Sequence, residues 1–248
     1  LSPVSLPGLI FAKVISFYGW NIHHWIHHVK EDLEIAKKGY EIAMANSDLI
    51  YGSYLIAMSF FASFYIGHSL DDVLIYANKA LSFSEKYKQP FLKVLVTSNL
   101  RILFALQGKT EANNSFADSD FREDQFIIEN EKFGQPMAYF YLRKLQLYFL
   151  YGEFSKCIEV LPLAEKYFPN IPHHIAFSEF HFYNALTLIN VMEDFPLEKK
   201  KIYKTKLEES MDFFDQWASF CEDNFQHQNL LLKKKKAKML GNDLEAMQ

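Results

Sequence analysis

The sequence predicts an all-α protein, an α-α superhelix built as a tetratricopeptide-like solenoid of antiparallel helix pairs. Three observations carry that expectation. Gly and Pro are scarce, with nine and eight in 248 residues, too few punctuators for a turn-rich sandwich or barrel. One segment has the spacing of a complete helix-pair repeat. Echoes of that spacing recur at intervals of around 40 residues, longer than the roughly 34 of a strict repeat.

The clearest unit runs from Tyr139 to Pro169. Tyr139–Tyr151 is apolar around most of a helix, and Gly152-Glu153-Phe154 reads as the turn between two helices. Cys157, Leu161 and Ala164 then follow at intervals of four and three, with Pro169 closing the unit. Small residues let the second helix approach the first, a larger apolar residue fills the groove, and proline stops the helix.

Ala36, Tyr40 and Ala43 repeat the spacing with Asp48 at the stop, and Val73, Ala77 and Ala80 repeat it after a Gly67-His68 turn. Leu103–Gly108 reads as a first helix reaching its turn. Asn113–Asp124 is expected to be a mobile loop, since it is rich in turn and capping residues. Breaks are expected at 168–172 and at Glu193–Pro196, the second preceding a charged helix through Trp217. Gly241 and Ala246 restart the pattern, so residues 241–248 read as a truncated repeat. At ordinary helix lengths this gives roughly ten to twelve helices in a single domain spanning 1–248. A truncated last unit predicts fraying or homodimerisation at that end. A start at Leu1 rather than Met fits a segment excised from a longer protein.

Composition narrows the function classes. Half the residues are apolar and 17% aromatic, enough for a large core. A net charge of −4 gives no general affinity for nucleic acid. Two distant cysteines, Cys157 and Cys221, imply no disulfide framework and favour a reducing, cytoplasmic compartment. Leu49–Leu70 lacks Asp, Glu, Lys and Arg, but its Gly, Ser, His and Tyr residues fit a buried helix better than a membrane span.

Candidate chemistry is sparse. His23 and His27, and likewise His24 and His28, lie one helical turn apart, a spacing that can hold a transition metal. No third ligand is evident, so no metal or other cofactor is expected and one pair is read as facing a neighbouring helix. His173-His174 reads as a helix start, and His181 as a packed core imidazole. Gly108-Lys109-Thr110 lacks the first glycine of a phosphate-binding loop, with Leu103 in its place. Asp118, Asp120, Glu123 and Asp124 lack the spacing of a calcium loop and read as solvated. Lys233–Lys236 spreads its charge around a helix rather than on one face. No catalytic constellation stands out, and no catalytic residue is assigned.

The stretch Met137–Leu145, continuing to Tyr151-Gly152-Glu153-Phe154, resembles the helical region of very large bacterial multidomain signalling proteins. His24-Trp25-Ile26-His27-His28 is similar to that family's His-Trp-x-x-His-Leu opening, with Val29 for Leu. Phe180-His181-Phe182-Tyr183, Trp217-Ala218 and Ala237–Gly241 follow in the family's order. Lys233–Lys236 departs from its mixed charge. The resemblance implies a region between a predicted ATPase, preceded by a serine/threonine-kinase-like domain, and a GAF domain with a histidine kinase or other output domain. It carries over no catalytic residue, and it makes His24, Trp25 and His28 structural.

The expected function is a non-catalytic scaffold that couples such domains by protein–protein contact, its partners being other domains of the parent or a protein or peptide ligand. A concave groove lined by Tyr139, Tyr141, His181 and Tyr183 is the expected surface, with core packing as the competing reading of those rings. Two rivals are a small-molecule or peptide sensor and a metal-dependent helical enzyme using the histidines.

Overall fold

The computed structural model describes residues 6–242. Among them are eleven helices of eight residues or more and no strand. They are α1 (Leu6–Tyr18), α2 (Asp32–Ala45), α3 (Leu49–Tyr65), α4 (Leu70–Lys86), α5 (Pro90–Leu106), α6 (Glu123–Asn130), α7 (Gly134–Leu150), α8 (Phe154–Tyr167), α9 (Ile175–Val191), α10 (Leu197–Phe220) and α11 (Glu222–Met239). None is long and apolar enough to cross a membrane.

Local chemistry sets the boundaries. Asp48 and Ser69 cap α3 and α4, their side chains accepting from the N–H of Tyr51 (3.1 Å) and Asp72 (3.2 Å). Pro90 opens α5, where its missing N–H costs nothing. The α7–α8 corner shows how helices stop. Gly152 has φ +73°, its N–H bonds the Phe149 carbonyl, and the Glu153 N–H reaches back to Tyr148. That is a Schellman ending, and glycine takes its left-handed position without strain. Gly67, Gly108 and Gly241 end α3, α5 and α11 alike.

The expected repeat register holds. Ala36, Ala43, Val73, Ala77, Ala80, Cys157 and Ala164 are all fully buried. Consecutive helices pack against one another, α1 on α2, α3 on α4, α7 on α8 and α9 on α10. Alternate helices also touch, α3 on α5, α5 on α7, α7 on α9 and α9 on α11. At Gly39 of α2 the helices come so close that a Cβ would lie 2.7 Å from Leu55 and 2.8 Å from Ile15. Of the truncated last unit only Gly241 and Asn242 are described; Ala246 lies outside the described residues.

Two features depart from expectation. The chain is irregular over 107–122, so the loop expected at Asn113–Asp124 ends two residues early where Glu123 and Asp124 open α6, and it is anchored rather than mobile. Phe116 is fully buried, and its carbonyl accepts from Arg101 Nε at 2.9 Å. Asp118 pairs with Arg101 at 2.5 Å, and Glu123 pairs with Lys144 at 2.8 Å while accepting from the Phe116 N–H at 2.6 Å. Two of the four acids read as solvated are thus structural. The segment and the short α6 stand where α5 would otherwise have a second helix.

The second departure is closure. In an extended solenoid each repeat touches only its neighbours. Here the connector between α1 and α2 reaches the far end of the chain. Asn224 of α11 donates to the carbonyls of His24 (2.7 Å) and His27 (2.8 Å), and its Oδ1 accepts from the Val29 N–H (3.0 Å). Trp25 donates to the His173 carbonyl at 3.0 Å and packs its ring against Trp217 and Phe225. The array folds back on itself.

Arg143 of α7 sits where the helices converge, with a fully buried side chain. Its Nε donates to Asn99 of α5 (3.0 Å), Nη1 to Gln146 (2.7 Å) and Glu179 (3.1 Å), and Nη2 to Glu179 (2.8 Å) and Tyr65 of α3 (3.3 Å). All five guanidinium donors are used. Burial is the largest single influence and opposes its charge, but the Glu179 carboxylate of α9 together with Tyr65 and Tyr139 raises its pKa overall. Arg143→Met strands that carboxylate and is expected to cost about 3–5 kcal/mol, with Arg143→Met/Glu179→Gln recovering part. Urea unfolding measures both; a cost under about 1 kcal/mol for the single variant contradicts this account.

Candidate functional site

Two places outside the core carry exposed chemistry, and both involve α1 and the connector that follows it. The end of α1 widens into a π-helical stretch, Gly19–His23, followed by one short α turn, His24–Ile26. Such widenings are uncommon and often mark functional positions. The chain then turns extended at His27, φ −134° and ψ 157°, and re-enters a 3-10 turn at Val29–Glu31 before α2. This break folds Glu31 back beneath His23.

The four candidate histidines separate into different roles. His23 and His27 come together, their rings stacked at 4.8 Å. Glu31 completes the group: one ligand atom from each of His23, His27 and Glu31 lies within 4.8 Å of the others, and His23 Nε2 is 3.7 Å from Glu31 Oε2. On the other edge of the ring, His23 Nδ1 shares a 2.5 Å hydrogen bond with buried Asp32. His24 and His28 do not pair. The His24 ring is buried with Nε2 3.1 Å from the His173 carbonyl, and His28 Nδ1 accepts from the Lys30 N–H at 3.1 Å.

Sequence reasoning missed Glu31 and Asp32. The signal was available, since His23, His27 and Glu31 stand four residues apart in succession.

The expected aromatic groove requires correction. Tyr139 is fully buried, Tyr141 and His181 are nearly so, and half-buried Tyr183 accepts from Gln146 Nε2 at 3.1 Å. Tyr139 touches Phe61 of α3, and His181 bonds Ser210 of α10 at 3.0 Å. Closure of the array turns the face that would have been concave into core.

The exposed groove lies elsewhere, on α1. That helix is inverted: its buried positions are small, Ala12 and Ser16, while Leu6, Ile10, Phe11, Val14 and Phe17 are each 49% to 70% exposed. Beside it is a cleft of about 610 Å³ lined by Val14, Phe17, Trp20, Ile22, Tyr51 and Tyr54, with Lys13, Gln135 and His174 among its polar contributors. Its sequence signal was an N-terminal helix with more large apolar residues than one buried stripe needs.

Compared with known protein families, with curated proteins and with solved structures, the chain matches none.

Buried titratable groups around the connector set a pH dependence. Burial pushes His24 and His181 down to about 4 and His174 down to about 3, and pushes Asp32 up to about 8. The histidine contribution is whole above their ordinary 6.5 and is lost as pH falls towards these lowered values. The Asp32 contribution has the opposite sign: it is whole below 3.8 and is lost as pH rises towards 8. Among these four groups, three protons against one leave stability climbing with pH up to about 6.5, by about 2.7 kcal/mol per pH unit, and falling above it. Thermal melts in EDTA from pH 5 to 8 are expected to peak near 6.5, with His181→Gln flattening the acid limb and Asp32→Asn the alkaline limb. A monotonic rise to pH 8 contradicts the assignment.

Proposed function

We propose that this chain is a non-catalytic interaction module that docks a partner protein segment against α1. The observation that carries this reading is the inverted α1, whose large apolar side chains point away from the fold. Burying one such side chain stabilises by about 1.5–3 kcal/mol, so leaving five exposed forgoes a substantial gain unless a partner covers them. The apolar cleft of about 610 Å³ continues the same surface and offers a seat for an anchoring side chain. The resemblance to the helical region of bacterial multidomain signalling ATPases suggests what the partner is: a neighbouring ATPase, sensor or output domain of one long polypeptide, with the helical array coupling them. A cytoplasmic setting goes with that reading.

A second reading has its own support. The cleft falls within the roughly 300–1,000 Å³ typical of small-molecule sites and is mainly aromatic and aliphatic. A sensor that binds a small apolar molecule there suits the same signalling role.

A photo-crosslinking amino acid at Phe17, placed in the native polypeptide, separates the readings. The docking reading expects a cross-link within a polypeptide far larger than 29.1 kDa, lost when Val14→Glu is added. A native polypeptide near 29 kDa that yields no cross-linked protein contradicts it. A small-molecule filtrate that raises the melting midpoint of the wild type, but not of Val14→Glu/Phe17→Glu, decides for the sensor.

A further inference from the structure

We propose that His23, His27 and Glu31 form a binding site for a divalent transition metal, zinc being the natural probe, at the connector between α1 and α2. The inference is independent of the docking role of α1.

The donor set fits. Two imidazoles and one carboxylate, with a fourth position open to water, is a recurrent zinc arrangement. Ligand bonds of about 2.0–2.2 Å to a tetrahedral ion place donor atoms about 3.4 Å apart. His23 Nε2 and Glu31 Oε2 are already at 3.7 Å, and the whole group lies within 4.8 Å. Closing the remaining gap needs only side-chain rotation of His27 and Glu31, both exposed, while His23 stays buried and fixed. The exposed pair lets an ion enter, and the buried ring orients it.

Asp32 supplies what separates a built site from two surface histidines. Metal-binding imidazoles are held by a carboxylate or carbonyl on their other nitrogen. The 2.5 Å bond between Asp32 Oδ1 and His23 Nδ1 has that geometry. With the shared proton on Nδ1, Nε2 keeps its in-plane lone pair on the ring edge beside Glu31, and His27, stacked on the ring face, swings its own nitrogen round to the same ion.

The backbone explains how these residues meet. In an uninterrupted helix, His23, His27 and Glu31 would lie along one face over two turns, with the outer two about 12 Å apart at 1.5 Å per residue. The extended residues at His27 and His28 break that line and bring Glu31 beside His23. An ion here ties both sides of the break together. It thereby stiffens the strand that Asn224 and Trp25 hold against α9, α10 and α11.

The test is titration of untagged, EDTA-stripped protein with zinc chloride by isothermal calorimetry, and with cobalt chloride by visible absorption. Expected are one zinc per chain, tetrahedral cobalt bands, and a rise in melting midpoint on zinc addition. Glu31→Gln and His27→Ala each weaken zinc binding at least tenfold, and both leave the apo circular dichroism unchanged because the side chains are exposed. Asp32→Asn weakens it about 10–100-fold, as expected for a positioning residue, and His68→Ala, distant and exposed, leaves it unchanged. Absence of binding overturns the proposal. So does an affinity indifferent to Glu31→Gln, which would mean a surface histidine pair only.

Discussion

The guanidinium of Arg143 is the constraint on which the arrangement of helices depends. A fully buried charge is tolerable only where every donor finds an acceptor and a counter-charge lies close. Arg143 meets those terms by drawing Tyr65, Asn99, Gln146 and Glu179 to one point from α3, α5, α7 and α9. Apolar contacts alone would let these helices slide past one another at little cost. The forked geometry of the guanidinium does not, because each bond has a direction. The cation also lies over the ring of Phe64, so the apolar surface beside it is used as well.

The same device recurs at smaller scale where the helix-pair pattern lapses. Beside α5 the chain lacks a long second helix, which would leave polar backbone against the core. Arg101 and Lys144 reach into that gap and take the Phe116 carbonyl and the Asp118 and Glu123 carboxylates. Side chains thus satisfy polar backbone of an irregular segment that covers the core. Its order comes from side chains of α5 and α7 rather than from its own composition.

Closure of the array changes where function can reside. By threading Trp25 and Asn224 together, the connector after α1 joins the two ends of the described chain and fills the space an open solenoid would leave for a ligand. Binding surface is displaced to α1, which contributes small residues inward and large ones outward. Among the described residues, the connector meanwhile brings together three coordinating side chains, between α1 and the far-end helices it holds. Partner docking on α1 and ion binding at its end would act on adjacent parts of one strand.

The sequence by itself determined the fold class, most helix boundaries and the buried register. Glycine at positive φ, Asp and Ser at helix starts, proline at first turns and small residues at four-then-three spacing are local signals that act through a few neighbouring atoms. Gly152, Cys157 and Ala164 were legible for that reason. The tertiary structure decided what distance in sequence conceals. That Tyr139 and His181 are core, that Asn224 meets His27, and that Arg143 meets Glu179 follow from how many helices curl around one centre, a sum of packing angles no single segment encodes. Glu31 falls between the two cases. Its spacing from the histidines was plain, but only the backbone break at His27 and His28 sets its carboxylate beside His23.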